Sequence, residues 1–170
     1  ATPDAVVANE PMASVAISHP RLIPIKNLRN KIPDIAKQLT QKKYPALFQN
    51  KNDIDLQITA VTGTNGKSSI CHYISQLTSA LSNKNTGNIG TLGCFVYSPK
   101  DINKNIKKLK SATHTTPDPF TLWEQISQLK LKHEISNLAI EASSHALTQN
   151  RLKNLPIDTA IFSNLSQDHL

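Results

Sequence analysis

A short apolar run that ends in a glycine turn and the triplet Gly-Lys-Ser constrains this chain more than any other feature of its sequence. Residues Ile58 to Ser69 read Ile-Thr-Ala-Val-Thr-Gly-Thr-Asn-Gly-Lys-Ser-Ser. This order predicts a phosphate-binding loop between a buried strand and a helix whose first N–H groups attract an anion. Lys67 supplies a positive charge for the β- and γ-phosphates of a nucleotide, and the Ser68 hydroxyl is a candidate ligand of Mg²⁺.

The positions of the glycines support this prediction. All five glycines of the chain lie in the segment 63–93, so backbone freedom is concentrated around the loop. Val61 occupies the place of the first glycine of the strict phosphate-loop pattern. The alternative interpretation is therefore a chance turn capped by Ser and Lys, and the rest of the sequence must distinguish it from a phosphate-binding loop.

Length and composition limit the class of protein. At 170 residues the chain fits one domain of ordinary size, or one domain with a fragment of another. It contains no apolar run of about 20 residues and no N-terminal secretion signal, so we expect a cytoplasmic protein with no membrane partner. Cys71 and Cys94 have no metal-binding or redox spacing, which favours reduced packing residues.

The net charge of +7 raises the question of nucleic-acid binding. Much of this charge comes from a lysine- and asparagine-rich stretch at residues 100–110. No aromatic residue is interleaved there to stack on bases, so a solvated loop or sheet edge explains the lysines better. We therefore expect no nucleic-acid partner.

The first third of the chain predicts two short strands and a helix, followed by a linker. Residues 4–8 and 22–25 predict short strands, and apolar residues within 27–44 recur at helical spacing. Pro33 fits best in the first turn of that helix, which places its start near Ile32. A polar linker at 49–55 then predicts a boundary between residues 1–54 and a nucleotide-binding domain at 55–170.

From Leu56 onwards, predicted strands alternate with predicted helices, which is typical of an α/β protein with a mostly parallel sheet flanked by helices. The predicted strands are Leu56–Val61, Thr91–Tyr97, Asn137–Ala142 and Thr159–Ser163, with a glycine-spaced turn at Gly87–Gly93. The predicted helices are Lys67–Leu81, with Ile70, Ile74, Leu77 and Leu81 on one face, and Pro119–Leu131, with the apolar stripe Leu122, Ile126 and Leu129. Ligands of such sheets bind beyond the carboxyl ends of the strands.

Polar residues cluster where these strands end. Glu141 follows a buried strand and is either a carboxylate for Mg²⁺ or a structural ion-pair or capping residue. His169 is either a metal ligand or a hydrogen-bonded loop histidine. Thr115 and Thr116 either bind an anionic group or cap the next helix. Arg151 suits a carboxylate or phosphate but is equally plausible as a surface cation.

Four segments in this order resemble the motifs of the Mur ligases, and among them the MurE type. They are Thr62-Gly-Thr-Asn-Gly-Lys-Ser-Ser69, Thr115-Thr-Pro117, Glu141-Ala-Ser-Ser-His-Ala-Leu147 and Asn164-Leu-Ser-Gln-Asp-His-Leu170. A fainter similarity covers Ile25 to Arg29, which resembles the end of the family's N-terminal domain that binds the UDP-linked substrate. The resemblance implies that residues 1–54 are a remnant of that small α/β domain and that residues 55–170 are the N-terminal part of a truncated ATP-binding central domain. The loop ends Lys-Ser-Ser where the family usually has Lys-Thr-Thr, and His114 stands where some members have Asn.

The resemblance implies a function for each motif. The family joins an amino acid to UDP-N-acetylmuramoyl-L-Ala-D-Glu in peptidoglycan synthesis, using ATP, Mg²⁺ and an acyl-phosphate intermediate. The implied catalytic residues are Lys67, Glu141 and His169, and the implied Mg²⁺ ligands are Ser68, Glu141 and His169. The implied ATP-binding residues are Gly63, Thr64, Asn65, Gly66, Lys67, Ser68 and Ser69. The implied substrate-binding residues are Thr115, Thr116, Ser143, Gln149 and Arg151.

The resemblance also implies that parts of a Mur ligase lie outside this sequence, so we expect a truncated chain that is inactive alone. The missing parts would include the region that selects the amino acid, which we expect to be meso-diaminopimelate. The resemblance also implies a monomer, since family members are usually monomeric. The residues alone leave two other hypotheses about function open. One is a stand-alone nucleotide-binding or NTP-hydrolysing module, and the other is a basic nucleic-acid-binding protein.

Overall fold

The computed structural model describes residues 6–9, 22–48, 54–99 and 106–166. In chain order their elements are β1 Val6–Asn9, β2 Leu22–Ile25, α1 Leu28–Lys43, a 3₁₀ turn at Pro45–Leu47, β3 Gln57–Thr62, α2 Lys67–Ser82, β4 Thr86–Gly90, β5 Gly93–Tyr97, β6 Ile106–Lys110, α3 Pro119–His133, β7 Asn137–Glu141, α4 Ser144–Thr148 and β8 Ile157–Phe162.

The described strands form two sheets. β1 and β2 make a small parallel pair, and the other six strands make a mixed sheet in the order β6-β5-β4-β7-β3-β8. In the larger sheet β4, β7, β3 and β8 are parallel, while β5 and β6 extend it as antiparallel strands. The predicted α/β fold with a mostly parallel, helix-flanked sheet is therefore confirmed. Its parallel strands bring the ends of β4, β7, β3 and β8 to one edge, where the site lies.

The two faces of the sheet are covered by different helices. Leu138 and Ile140 of β7 belong to a large apolar cluster that includes Leu122, Ile126 and Leu129 of α3. Ala139, which lies between those two β7 residues, packs instead with Cys71 of α2. This alternation follows from the two-residue period of a strand, and it confirms the predicted apolar stripe of α3.

The predicted apolar face of α2 is correct only in its first half, where Ile70 and Ile74 pack against the cluster of Val61, Cys71 and Ala139. Leu77 and Leu81 are 61% and 86% exposed, and the fully buried residues of the helix are the small side chains Cys71, Ser75 and Ser79. Ser79 Oγ donates to the Tyr97 carbonyl oxygen over 3.2 Å, so this face reaches the sheet through hydroxyl groups. Small side chains let the helix backbone lie close to the sheet, while Leu77 and Leu81 in its second half point outward.

The predicted turn at Gly87–Gly93 is also wrong, since most of it is strand. β4 is buried along its whole length, and the connection to β5 consists of Thr91 and Leu92 alone. Gly87 fits here because a Cβ on it would lie 2.9 Å from Ile135 Cδ1 and 3.0 Å from Leu138 Cδ1. The glycine therefore provides room for neighbouring apolar side chains rather than a bend.

Helix α1 begins at Leu28, earlier than the predicted start near Ile32, and keeps the buried Pro33 inside it. Its C-terminal end packs on α3, where Glu124 accepts hydrogen bonds from Lys43 Nζ at 3.0 Å and Tyr44 Oη at 2.8 Å. Ala36 of α1 belongs to the large apolar cluster of the sheet. The boundary between residues 1–54 and 55–170 stays a prediction, and residues 49–53 of the predicted linker lie outside the described residues.

The lysine-rich stretch ends in β6, at the edge of the sheet, with Lys107, Lys108 and Lys110 exposed. Lysines on an edge strand discourage pairing with another chain. Among the described residues, no helix combines the length and the apolar character needed to cross a bilayer.

Asp118 starts α3, and replacing it with alanine is expected to destabilise the protein by about 1 kcal/mol, the usual cost of losing an N-cap. Its Oδ1 accepts from the N–H groups of Phe120 and Thr121 at 3.0 and 3.1 Å. Urea unfolding at neutral pH measures the change. Asp118→Ser, which keeps a capping oxygen, should lose much less, and equal losses for the two variants would contradict the capping role.

The stabilisation by Asp118 should also depend on pH. Burial raises the pKa of this carboxyl, but the hydrogen bonds from Thr121 and Phe120 together bring it below the ordinary value of 3.8. A lowered pKa in the folded state means that the contribution is present above the unfolded-state pKa and is lost as pH falls through the folded-state pKa. The stability difference between wild type and Asp118→Ala should therefore shrink in acid.

Candidate functional site

The predicted phosphate loop lies between β3 and α2. Gly63 and Gly66 have φ angles of +124° and +83°, in the region that favours glycine, and α2 begins at Lys67 as predicted. A Cβ on Gly63 would lie 2.2 Å from Ser163 Oγ and 2.8 Å from the Asn164 carbonyl oxygen. Within the described residues no side chain caps the first turn of α2, which leaves its positive end facing the loop.

A second loop, residues 163–166 after β8, holds the phosphate loop in place. The Asn164 side chain binds both backbone polar groups of Asn65. Its Oδ1 accepts from Asn65 N at 3.1 Å, and its Nδ2 donates to Asn65 O at 3.1 Å. Thr64 N donates to Asn164 O at 3.0 Å. Ser166 and Thr64 also exchange two hydrogen bonds, at 3.0 and 3.1 Å. The two strand-end loops therefore form one unit.

Lys67 is folded over its own loop. Its Nζ donates to the carbonyl oxygens of Gly63 at 2.7 Å and Thr64 at 2.9 Å. Neither acceptor carries a full charge, so an anionic ligand would be a stronger partner for the ammonium group.

Glu141 ends β7 and is 1% exposed. Its Oε2 accepts from Ser68 Oγ at 2.9 Å and from Thr91 Oγ1 at 3.0 Å, and its Oε1 accepts from Thr91 N at 2.9 Å. None of the ion pairs within the described part of the chain includes this carboxylate. A buried carboxylate held only by neutral donors is a favourable place for a cation, because burial of an unpaired charge is costly.

Sequence reasoning missed Thr91. The only available signal was its place in the short segment Gly90-Thr91-Leu92-Gly93, which the structure makes the turn between β4 and β5. Thr91 Oγ1 also lies 3.0 Å from Thr115 Oγ1, so this residue touches two of the predicted motifs.

Thr115 and Thr116 have different surroundings, although both were predicted to bind substrate. Both residues border the cleft, but Thr115 is partly exposed there, whereas Thr116 is fully buried. The Thr116 hydroxyl donates to the Glu141 carbonyl oxygen at 2.6 Å and accepts from Ser143 N at 3.0 Å. The structure therefore favours a role for the Thr116 hydroxyl in joining the loop before α3 to the end of β7.

Ser143, Gln149 and Arg151 line the same cleft. Ser143 Oγ caps α4 by accepting from Ala146 N at 3.2 Å. Arg151 donates to Gln149 Oε1 through Nε at 2.9 Å and Nη2 at 2.7 Å, and its Nη1 donates to the Thr116 carbonyl oxygen at 2.6 Å. These bonds give the guanidinium a defined position in the cleft wall, unlike a free surface cation.

The cleft consists of two adjoining cavities that share Thr64, Lys67 and Thr115. The larger, of about 850 Å³, contains the five predicted substrate-binding residues. The smaller, of about 320 Å³, contains the phosphate loop, Thr91 and Glu141. A phosphate group bound at Lys67 would thus lie between a carboxylate-lined cavity and a larger cavity for an organic substrate.

The predicted third metal ligand, His169, lies outside the described residues. Within the part of the chain that is described, no group of three or more His, Cys, Asp or Glu side chains is arranged around a metal position. Ser68 and Glu141 do lie together, which fits the hard-oxygen chemistry of Mg²⁺. The His169 ligand stays a prediction.

Cys71, directly behind the loop, is not a reactive thiol. Burial, and then the charge of Glu141, raise the pKa of Cys71 to about 12. Burial also raises the pKa of Cys94 to about 12. Both cysteines are free and buried, as expected for packing residues.

Comparison with known proteins identifies the sequence family around this site. The Mur ligase middle domain matches residues 61–170. The UDP-N-acetylmuramoyl-L-alanyl-D-glutamate–2,6-diaminopimelate ligase of Coxiella burnetii is 34% identical over 165 residues, which are 96% of this chain and 29% of that protein. The enzyme of the same name from Rickettsia bellii is 43% identical over 111 residues, covering 65% of this chain and 22% of that protein.

The fold agrees with this assignment. A solved structure of a UDP-N-acetylmuramoyl-L-alanyl-D-glutamate–2,6-diaminopimelate ligase matches with a TM-score of 0.68 and 28% identity, over 91% of this chain and 28% of that one. The chain therefore spans less than a third of the length of these relatives.

Gly63→Ala is expected to destabilise the protein more than Gly66→Ala. Both variants place a Cβ at a positive φ, a strain of about 1–3 kcal/mol, but only at Gly63 does the Cβ also meet another loop. At Gly66 the nearest atom is Ile70 Cδ1 at 3.8 Å. Denaturant unfolding compares the two variants.

A double variant, Gly63→Ala with Ser163→Ala, should not recover the loss at Gly63, because the clash with the Asn164 backbone remains. Full recovery, or equal losses at the two glycines, would contradict the close approach of the two loops.

Proposed function

The chain belongs to the Mur ligase family, and on that basis we propose that it forms the phosphate-binding part of an ATP-dependent, amide-forming ligase of the MurE type. The observation that carries this proposal is the buried Glu141 carboxylate, which accepts hydrogen bonds from neutral donors alone among the described residues and lies against Ser68 of the phosphate loop. A phosphate loop beside an unpaired buried acid is the combination needed to bind a nucleotide with Mg²⁺.

The substrates in the proposal come from the names of the relatives. These names give UDP-N-acetylmuramoyl-L-alanyl-D-glutamate and 2,6-diaminopimelate. ATP is proposed from the phosphate loop. A carboxylate oxygen of the dipeptide attacks the γ-phosphorus of ATP, ADP leaves, and an acyl phosphate forms. The amine then attacks the acyl carbon, phosphate leaves, and the amine gives up a proton as the amide bond forms.

The described residues suit the first of these two steps. Lys67 would exchange its two carbonyl acceptors for the phosphate oxygens and so balance the charge of the transferred group. Arg151, held by Gln149 and the Thr116 carbonyl, would orient an anionic substrate in the larger cavity. Thr115, which lines both cavities, would face this substrate and the nucleotide.

Ser68 and Glu141 would hold Mg²⁺, with His169 as the predicted third ligand. When bound, this ion neutralises charge on the phosphate oxygens of the nucleotide. Glu141 would supply the negative charge that attracts the ion, and Ser68 a hydroxyl oxygen at the start of α2.

We also propose that residues 55–170 belong to the nucleotide-binding domain and residues 1–54 to the domain that binds the UDP-linked substrate. Since ATP and UDP-linked precursors are cytoplasmic compounds, we infer a cytoplasmic location, with neither nucleic acid nor membrane as a partner.

Lys67→Ala should weaken the binding of Mg·ATP about tenfold to hundredfold, the range for a hydrogen bond to a charged group. Isothermal titration calorimetry on the 170-residue chain measures this change. Lys132→Ala, which removes the same charge from an exposed position of α3, is the matched control. Equal affinities for the two variants would overturn the role of Lys67.

The same chain tests the alternative of a stand-alone NTP-hydrolysing module. Sustained release of phosphate from ATP without a muramoyl substrate would favour that alternative, whereas hydrolysis at the background rate favours the ligase.

Glu141→Gln should abolish the stabilisation of the protein by Mg²⁺. In the unsubstituted chain, MgCl₂ together with ATP should raise the melting temperature, because Mg²⁺ supplies a positively charged partner for the buried carboxylate. The amide keeps the shape of the side chain and removes the charge. Thermal melts at constant ionic strength give the readout. Glu134→Gln, the same change on an exposed residue, should respond to Mg²⁺ like wild type, and a wild-type response of Glu141→Gln would refute cation binding there.

A further inference from the structure

The turn between β4 and β5 is shaped around the carboxylate of Glu141. A Cβ on Gly90 would lie 2.0 Å from Glu141 Oε1 and 2.5 Å from its carboxyl carbon, so only glycine allows this approach. The close backbone brings the N–H of the next residue, Thr91, to 2.9 Å from Oε1.

The Thr91 side chain contacts the other carboxylate oxygen. Its Oγ1 lies 3.0 Å from Glu141 Oε2 and 3.0 Å from Thr115 Oγ1. A hydroxyl has one proton, and a carboxylate can only accept, so Thr91 donates to Glu141 and accepts from Thr115. The result is a chain of hydrogen bonds from Thr115 through Thr91 to Glu141.

Within the described residues, Thr91 therefore makes two of the three hydrogen bonds to this carboxylate, one to each oxygen. The third comes from the hydroxyl of Ser68, in the first turn of α2 after the phosphate loop. Two donors from one residue fix the rotation of the carboxylate plane as well as its position. Thr91 itself is exposed in the smaller cavity, so its hydroxyl is accessible beside the buried acid.

We propose that Thr91 is a positioning residue that orients the Glu141 carboxylate for Mg²⁺ and links it to Thr115 on the loop before α3. This inference rests on the proposed function and adds a residue to it. The link joins the smaller cavity, which holds the acid and the phosphate loop, to the larger cavity, where Thr115 also lies. Loss of the Thr91 hydroxyl would leave Oε2 with one donor and free the carboxylate to rotate.

The test compares Thr91→Val with Thr91→Ser. Valine has the shape of threonine without the hydroxyl, whereas serine keeps the hydroxyl. ATP binding to the 170-residue chain is measured by calorimetry in MgCl₂ and in EDTA. Thr91→Val should weaken binding about tenfold in MgCl₂, as expected for one hydrogen bond to a charged group, and should leave binding in EDTA unchanged. Thr91→Ser should bind within about twofold of wild type in both conditions.

Thr78→Val is the matched control, because Thr78 lies about three turns from the end of α2 that adjoins the phosphate loop. This variant should bind ATP like wild type in both conditions. Thermal melts check that every variant is folded. An equal effect of Thr91→Val in MgCl₂ and EDTA would reduce Thr91 to a structural turn residue and overturn the inference. Wild-type binding by Thr91→Val would overturn it too. No Mg-dependent binding by the unsubstituted chain would instead refute the proposed function, and this inference with it.

Discussion

One buried negative charge organises the site. Glu141 lies at the end of β7, between β4 and β3, and is enclosed by the protein. Its side chain binds Ser68 of α2 and Thr91 of the β4–β5 turn, and its backbone oxygen binds Thr116 before α3. A carboxylate in such a place must have its donors in position, so these elements can pack in only a narrow range of arrangements. These donors are neutral, so within the described part of the chain the carboxylate has no positively charged partner.

The parts of the fold that depend on local chemistry were predictable from the sequence. The helix after the phosphate loop starts at Lys67, and α3 starts after Asp118, because a glycine turn and an Asp-Pro pair are helix-start signals that act within a few residues. The buried strand β7 was predictable for the same reason, since a short apolar run ends at a polar residue. Phosphate loop, acid and substrate motifs then meet because parallel strands end at one edge.

Other features depend on contacts between distant residues, and local patterns did not predict them. Gly87 looks like a turn residue, but its small size serves the packing of Ile135 and Leu138. Ile70 and Ile74 of the apolar stripe of α2 pack inward as predicted, but Leu77 and Leu81 do not. Further along this helix Ser75 and Ser79 face the sheet, because the helix lies close to it. At the site, the buried Thr116 hydroxyl and the Thr91 contacts arise only after β4, β7 and the loop before α3 are brought together. No spacing along the chain encodes that arrangement.

The support of the phosphate loop by the segment after β8 links the site to the margin of the sheet. Asn164 and Ser166 hold the loop, and they follow β8, which is the terminal strand of the described sheet and is exposed along most of its length. Terminal strands open more easily than central ones. Fraying of β8 would therefore release the loop, and a phosphate bound in the loop would in turn stabilise β8. Local opening of β8 and phosphate binding in the loop are in this way coupled equilibria, each of which shifts the other.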